Sequence, residues 1–68
     1  MIAVIGIKAA ACGHLGRIEE GRECLRRRRE LRPGSTIASA RPGFGRFLSP
    51  EFLAILLDGL RKAGLPEE

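Results

Sequence analysis

Residues 12–25 read CGHLGRIEEGRECL, and the reading of Gly16 at their centre decides the fold. Upstream, Ile5, Ala9, Cys12 and Leu15 recur at helical spacing, which predicts a helix over residues 2–15. The β-branched opening IAVIGI also suits a strand, so residues 2–7 stay open between the two. The strong helix formers of IKAAAC, with no turn chemistry, favour helix. Gly16 then breaks it. Downstream, residues 17–31 read as a second helix, stopped by Pro33-Gly34. Two helices joined by so short a break form a hairpin. In that hairpin Cys12 and Cys24 lie on facing sides, and both are expected to be small core thiols.

The second helix complements its own dipole. Glu19 and Glu20 fall in its first turn, and Arg28, Arg29 and Arg32 near its end. Glu23 and Arg27 have the spacing and order of a stabilising i, i+4 pair. Projected at 100° per residue, Ile18, Gly21, Leu25, Arg28 and Arg32 share one side, flanked by Cys24 and Leu31. Arg28 therefore stands within the apolar stripe, where pattern and chemistry disagree. The favoured expectation is that its stem packs while the guanidinium reaches water. Pairing with Glu51 or Asp58 is one alternative. A surface left open for a partner is the other.

Beyond Pro33, Ser35 is expected to cap a helical turn running to Ala40. The run Pro42-Gly43-Phe44-Gly45 would end it. Residues 42–48 then form a loop, with Phe44 and Phe47 folded back as hydrophobic anchors. The closing segment carries a start and a stop signal. Ser49 is an N-cap and Pro50 occupies the first helical position. Leu53, Leu56, Leu57 and Leu60 form an i, i+3, i+4, i+7 stripe, widened by Phe52 and Ile55 so that it can face two partners. Gly64 is a left-handed stop, Leu65 folds back on Leu60, and Pro66 forbids continuation. The expected helix covers residues 50–63. The architecture is all-α. Residues 1–68 make one small helical domain, with a hairpin at 2–34, a short helix and loop at 35–48, and a capping helix at 49–66.

With 68 residues, no Trp or Tyr and three Phe, the chain is marginal as a free-standing unit. Its formal charge of +4 is uneven: residues 16–46 hold nine Arg and four Glu, hence +5, and the remainder holds −1. Arg26 to Arg29 are consecutive, so they point in four directions about 100° apart and make no single stripe. Arg22, Arg26 and Arg29 do share a side, which reads first as a solvated helix face and otherwise as a surface for an acidic protein or a nucleic acid. No aromatic platform is interleaved with them, as binding to single-stranded nucleic acid would favour. Two cysteines make no disulfide framework and no zinc spacing. His14 has no companion ligand and does not face Cys12 two residues away. RPGFGR lacks the Walker spacing, and GIKAAACG lacks the dinucleotide fingerprint. Their glycines read as loop or helix-breaking positions. No metal, cofactor, catalytic residue or small-molecule substrate is expected. Without a secretory pattern or an apolar run of membrane length, the expected location is the cytoplasm.

The first two segments resemble a tetratricopeptide repeat, a 34-residue helix–turn–helix unit ending in Pro. With that Pro placed on Pro33, its large first-helix positions fall on Ile5 and Cys12 and its small one on Ala9. In the second helix the small position falls on Gly21 and the large one on Leu25. Lys8 stands where the family has Leu, Ile5 where it favours Trp, and Cys12 where it favours Tyr. Arg28 replaces a small apolar residue. Over residues 13–68 the match is narrower. The stretches LGRIEEGRECLRRRRELRPGSTIASAR and FLSPEFLAILLDGLRKAGLPE resemble the carboxyl-terminal end of bacterial adenylate/guanylate cyclases that carry such repeats after their catalytic domain. No part of the chain matches that domain, so the resemblance implies a non-catalytic accessory module. It implies a piece that closes a repeat array or binds another protein, taken from a longer cyclase-like protein or descended from one.

The sequence-level expectation is therefore protein–protein interaction, self-association included. The candidate surfaces are the concave side of the first helix, around Val4 and Lys8, and the basic side of the second, around Arg22, Arg26 and Arg29. The alternative is a small basic nucleic-acid-binding protein using the Arg-rich helix.

Overall fold

The computed structural model describes residues 2–68. Among them are four helices and no strand: α1 (Ile2–Leu15), α2 (Ile18–Leu31), α3 (Ile37–Phe44) and α4 (Pro50–Ala63). Residues 2–7 are thus helical. α1 and α2 form the hairpin, and α4 packs along α1 and touches α2 and α3.

The helix ends follow from local chemistry. Gly16 is left-handed (φ 78°). The Arg17 N–H donates to Cys12 O at 2.8 Å and the Gly16 N–H to Gly13 O at 3.3 Å, closing α1 in a Schellman motif. α4 ends the same way. Gly64 lies at φ 110°, its N–H donates to Arg61 O at 3.0 Å, and the Leu65 N–H donates to Leu60 O at 3.0 Å. Leu65 is buried as the motif requires. At its start, the Ser49 hydroxyl accepts from the Phe52 N–H at 3.4 Å, with Pro50 next in the chain.

The core is built of small residues as much as large ones. Leu25, Ile37, Phe44, Leu57 and Leu60 supply bulk, while Ala9, Ala10, Ala40 and Ala63 let backbones approach. Gly6 and Gly13 are not helix breakers; they are contact points inside α1. A Cβ on Gly13 would collide with the Gly59 carbonyl of α4 and stand 3.1 Å from Ala63 N. Gly21 marks the meeting of three helices. A Cβ there would lie 2.9 Å from that of Ala63 and 3.4 Å from that of Cys12. Cys12 is buried, Cys24 half-buried, and both are free thiols.

α3 corrects the expected turn and loop. Its N-cap is Thr36, not Ser35: Thr36 Oγ1 accepts from the Ser39 N–H at 3.1 Å, and Ser39 Oγ accepts from the Thr36 N–H at 2.8 Å. Ser35 is instead buried, donating to Arg32 O at 2.8 Å. The helix does not stop at Ala40 but runs through Pro42 to Phe44, so residues 42–44 are not loop. Pro42 removes one intrahelical bond. Two bonds from outside the helix offset that loss: the Ile37 N–H donates to Pro66 O at 2.8 Å and the Ala38 N–H to Glu67 O at 2.9 Å. The carboxyl-terminal tail thus satisfies donors that a helix start leaves open. Phe44 is buried against Gly6, whereas Phe47, expected as a second anchor, is 76% exposed.

His14 ties the helices at the surface, with its Nε2 2.7 Å from the Ile55 carbonyl of α4. A protonated Nε2 donates there. For so exposed a bond, His14→Ala is expected to lower the urea unfolding midpoint by an amount worth about 0.5–1 kcal/mol. An unchanged midpoint would mean that solvent replaces the bond at no cost.

Candidate functional site

The three arginines expected to act together do share a surface. Arg22, Arg26 and Arg29 project from successive turns of α2 and line a groove of about 330 Å³ with Leu25, Ala63 of α4 and its C-cap Gly64. Their position at the carboxyl end of α4 favours positive charge, since a helix dipole is negative there. The three are not equivalent. Glu23 pairs with Arg26 rather than with Arg27, the partner expected at i+4. The Arg26 hydrogen bond and charge hold the Glu23 carboxyl below its ordinary range. Among the described residues, Arg22 and Arg29 form no ion pair. No aromatic side chain lines this groove, so it offers charge to an anionic partner but no ring on which a base could stack.

Val4 and Lys8 lie elsewhere. Both are exposed on α1, and helical spacing sets Ala11 and Leu15 on the same side. Val4 is 62% exposed and Ile7 52%. Beside this face runs a second groove of about 280 Å³, where Ile7, Ala11 and His14 of α1 oppose Phe52 and Ile55 of α4. Its walls are almost wholly apolar. Sequence reasoning placed Phe52 and Ile55 on a widened stripe that faces two partners, yet both remain uncovered. The available signal was α1 itself, which carries only Lys8 and His14 as polar side chains. A helix apolar all round is normally covered all round.

Arg28 is the third locus. It pairs with neither Glu51 nor Asp58, and two of its three guanidinium nitrogens, Nε and Nη1, are out of water. The side chain is 5% exposed, and its Nε and Nη1 have no hydrogen-bond partner among the described residues. The guanidinium carbon lies 5.7 Å from the centroid of the Phe44 ring, within reach of a cation–π attraction. Nε faces Gly6, whose missing side chain makes room for it. Burial, and then the charge of Arg32, disfavour the cationic form of Arg28. Both arginines line a pocket of about 170 Å³ with Ala3, Ala40, Phe44 and Phe47. Sequence projection found the conflict at Arg28. It does not find the pocket, whose wall requires α3 to continue past Ala40 to Phe44.

Among the described residues, no three His, Cys, Asp or Glu side chains gather as a metal site would require, and no helix is long and apolar enough to cross a membrane. Compared with family models, curated proteins and solved structures, the chain matches none.

Proposed function

We propose that this chain is a non-catalytic protein-interaction module whose docking surface is the outer side of α1, extended by Phe52 and Ile55 of α4. One observation carries the reading: α1 is apolar around its circumference, but the chain covers only the half bearing Ala9, Ala10 and Gly13. Leaving Val4, Ile7 and Leu15 in water forfeits burial worth roughly 25 cal/mol per Å² of apolar surface. A second helical element laid on that side would recover it. The small contact points Ala9 and Gly21, the Leu25 contact and the capping position of α4 agree with the tetratricopeptide resemblance. They support a role in closing the end of a repeat stack, as the tail of a cyclase-like protein would. With two free thiols, the cytoplasm is the setting that keeps such a module reduced.

In the isolated chain a second copy is the available cover. Sedimentation velocity should show association that rises with concentration, and the double variant Val4→Glu, Ile7→Glu should shift the chain to monomer while keeping its helical content. A wild-type chain that stays monomeric at every concentration, with a sharp melt, would refute the reading.

The groove of Arg22, Arg26 and Arg29 favours a second reading, binding to nucleic acid through phosphates. That reading requires affinity to fall steeply with salt as counterions are released. Titrating labelled RNA at two salt concentrations separates the two.

A further inference from the structure

We propose that the pocket beside Arg28 binds a small organic carboxylate, one oxyanion carried on a compact apolar body. The starting point is an imbalance. Two cations, Arg28 and Arg32, line the pocket, and no acidic residue does. A buried polar group normally has its partners, yet Nε and Nη1 of Arg28 have none among the described residues. Nε and Nη1 make no hydrogen bond that would have to break. Turning an unmet N–H into the pocket therefore loses nothing but some contact with the Phe44 face.

The rest of the wall selects the ligand. Ala3, Ala40, Phe44 and Phe47 are apolar. The Ser39 hydroxyl is already engaged, accepting from the Thr36 N–H at 2.8 Å and lying 3.0 Å from the Thr36 carbonyl to which it donates. The first N–H groups of α3 are also taken, by Pro66 O, Glu67 O and Thr36 Oγ1. No backbone donors remain for the several oxygens of a free phosphate. What remains are the side-chain donors of Arg28 and Arg32, and the planar Arg28 guanidinium beside the apolar walls matches a planar carboxylate in a charge-assisted pair. In size, the roughly 170 Å³ available is close to the ~150 Å³ apolar cavity known to take up benzene. A benzoate-sized anion meets both demands, its ring against the Phe side chains and its carboxylate on Arg28.

The test is a nuclear magnetic resonance titration of the full chain at fixed ionic strength with four probes: benzoate, neutral benzyl alcohol, acetate and inorganic phosphate. Benzoate should produce saturable shifts at Ala40, Gly43, Phe44 and the Arg28 side-chain Nε–H, and bind at least about tenfold more tightly than benzyl alcohol. Acetate, which leaves the apolar walls uncovered, should bind more weakly than benzoate. Arg28→Met should abolish the preference for benzoate over benzyl alcohol, and Arg32→Gln should weaken it. Arg32 is exposed, so the second variant keeps the test decisive if the first does not fold. Absence of saturable shifts, equal affinity for benzoate and benzyl alcohol, or an undiminished preference in either variant would overturn the proposal. Phosphate binding as tightly as benzoate would overturn the carboxylate assignment.

Discussion

A Gly13→Ala chain is expected to melt about 8–16 °C below the wild type. The added Cβ would overlap the Gly59 carbonyl oxygen and stand 3.0 Å from the Gly59 carbonyl carbon. The clash is reciprocal, since a Cβ on Gly59 would meet the Ala10 carbonyl and lie 2.7 Å from His14 Cδ2. These are mostly backbone atoms of two helices, so no rotamer change relieves them. α1 and α4 must separate, and the contacts of Leu60 and Ala63 loosen with them. Overpacking of this kind costs about 3 kcal/mol or more at its upper end. Alanine's better helix propensity returns about 1 kcal/mol. At 0.05–0.15 kcal/mol per residue, a domain of this length holds only about 3–10 kcal/mol in total. Each kcal/mol moves the melting temperature by roughly 4–8 °C at this size. Gly43→Ala is the matched control. A Cβ there meets nothing within 4 Å, and the change should stabilise α3 by about 0.5–1 kcal/mol. Thermal melts followed by circular dichroism read both signs. A Gly13→Ala melt at the wild-type temperature would mean that the two helices do not cross so closely.

That crossing shows what a single sequence conceals. In isolation Gly6 and Gly13 look like breaks in an alanine-rich segment, because glycine weakens a helix. Their value appears only when partners arrive from far along the chain, Phe44 over Gly6 and Gly59 against Gly13. The ends of α4 were legible because every signal is local: Ser49 and Pro50 at one end, Gly64, Leu65 and Pro66 at the other. The Gly16 break was legible for the same reason. α3 was not, since its persistence through Pro42 depends on carbonyls supplied by Pro66 and Glu67 and on Phe44 settling over Gly6. The candidate surfaces divide along the same line. Arg22, Arg26 and Arg29 share a side by helical spacing alone, and so do Val4 and Lys8. The groove between Ile7 and Ile55 exists only where two helices meet, and the pocket beside Arg28 only where three do. Glu23 is a smaller case: both i+3 and i+4 offer it an arginine, and spacing alone did not choose Arg26.

Arg28→Met is expected to raise the melting temperature by about 5–15 °C. The effects oppose one another, and their sizes decide the sign. Each buried, unpartnered donor costs roughly 1–3 kcal/mol, more when the group is charged. Nε and Nη1 are two such atoms. Against this, the attraction between the guanidinium and the Phe44 ring returns about 0.5–2 kcal/mol. Methionine keeps an unbranched stem, matches arginine in helix propensity, and offers its sulfur to the same ring for about 0.3–1.5 kcal/mol. The exchange therefore removes a burden and keeps most of the packing. Arg28→Ala removes both, opening space beside Phe44 and Gly6, so it should melt below Arg28→Met. The order Met above wild type isolates the unmet charge, and the order Met above Ala isolates the stem. Saturating benzoate should close the first gap, because a ligand that binds only the folded chain stabilises it by mass action. That rise belongs to the wild type alone if Arg28 holds the carboxylate. A Met variant that melts at or below the wild type would show instead that the guanidinium is no burden where it lies.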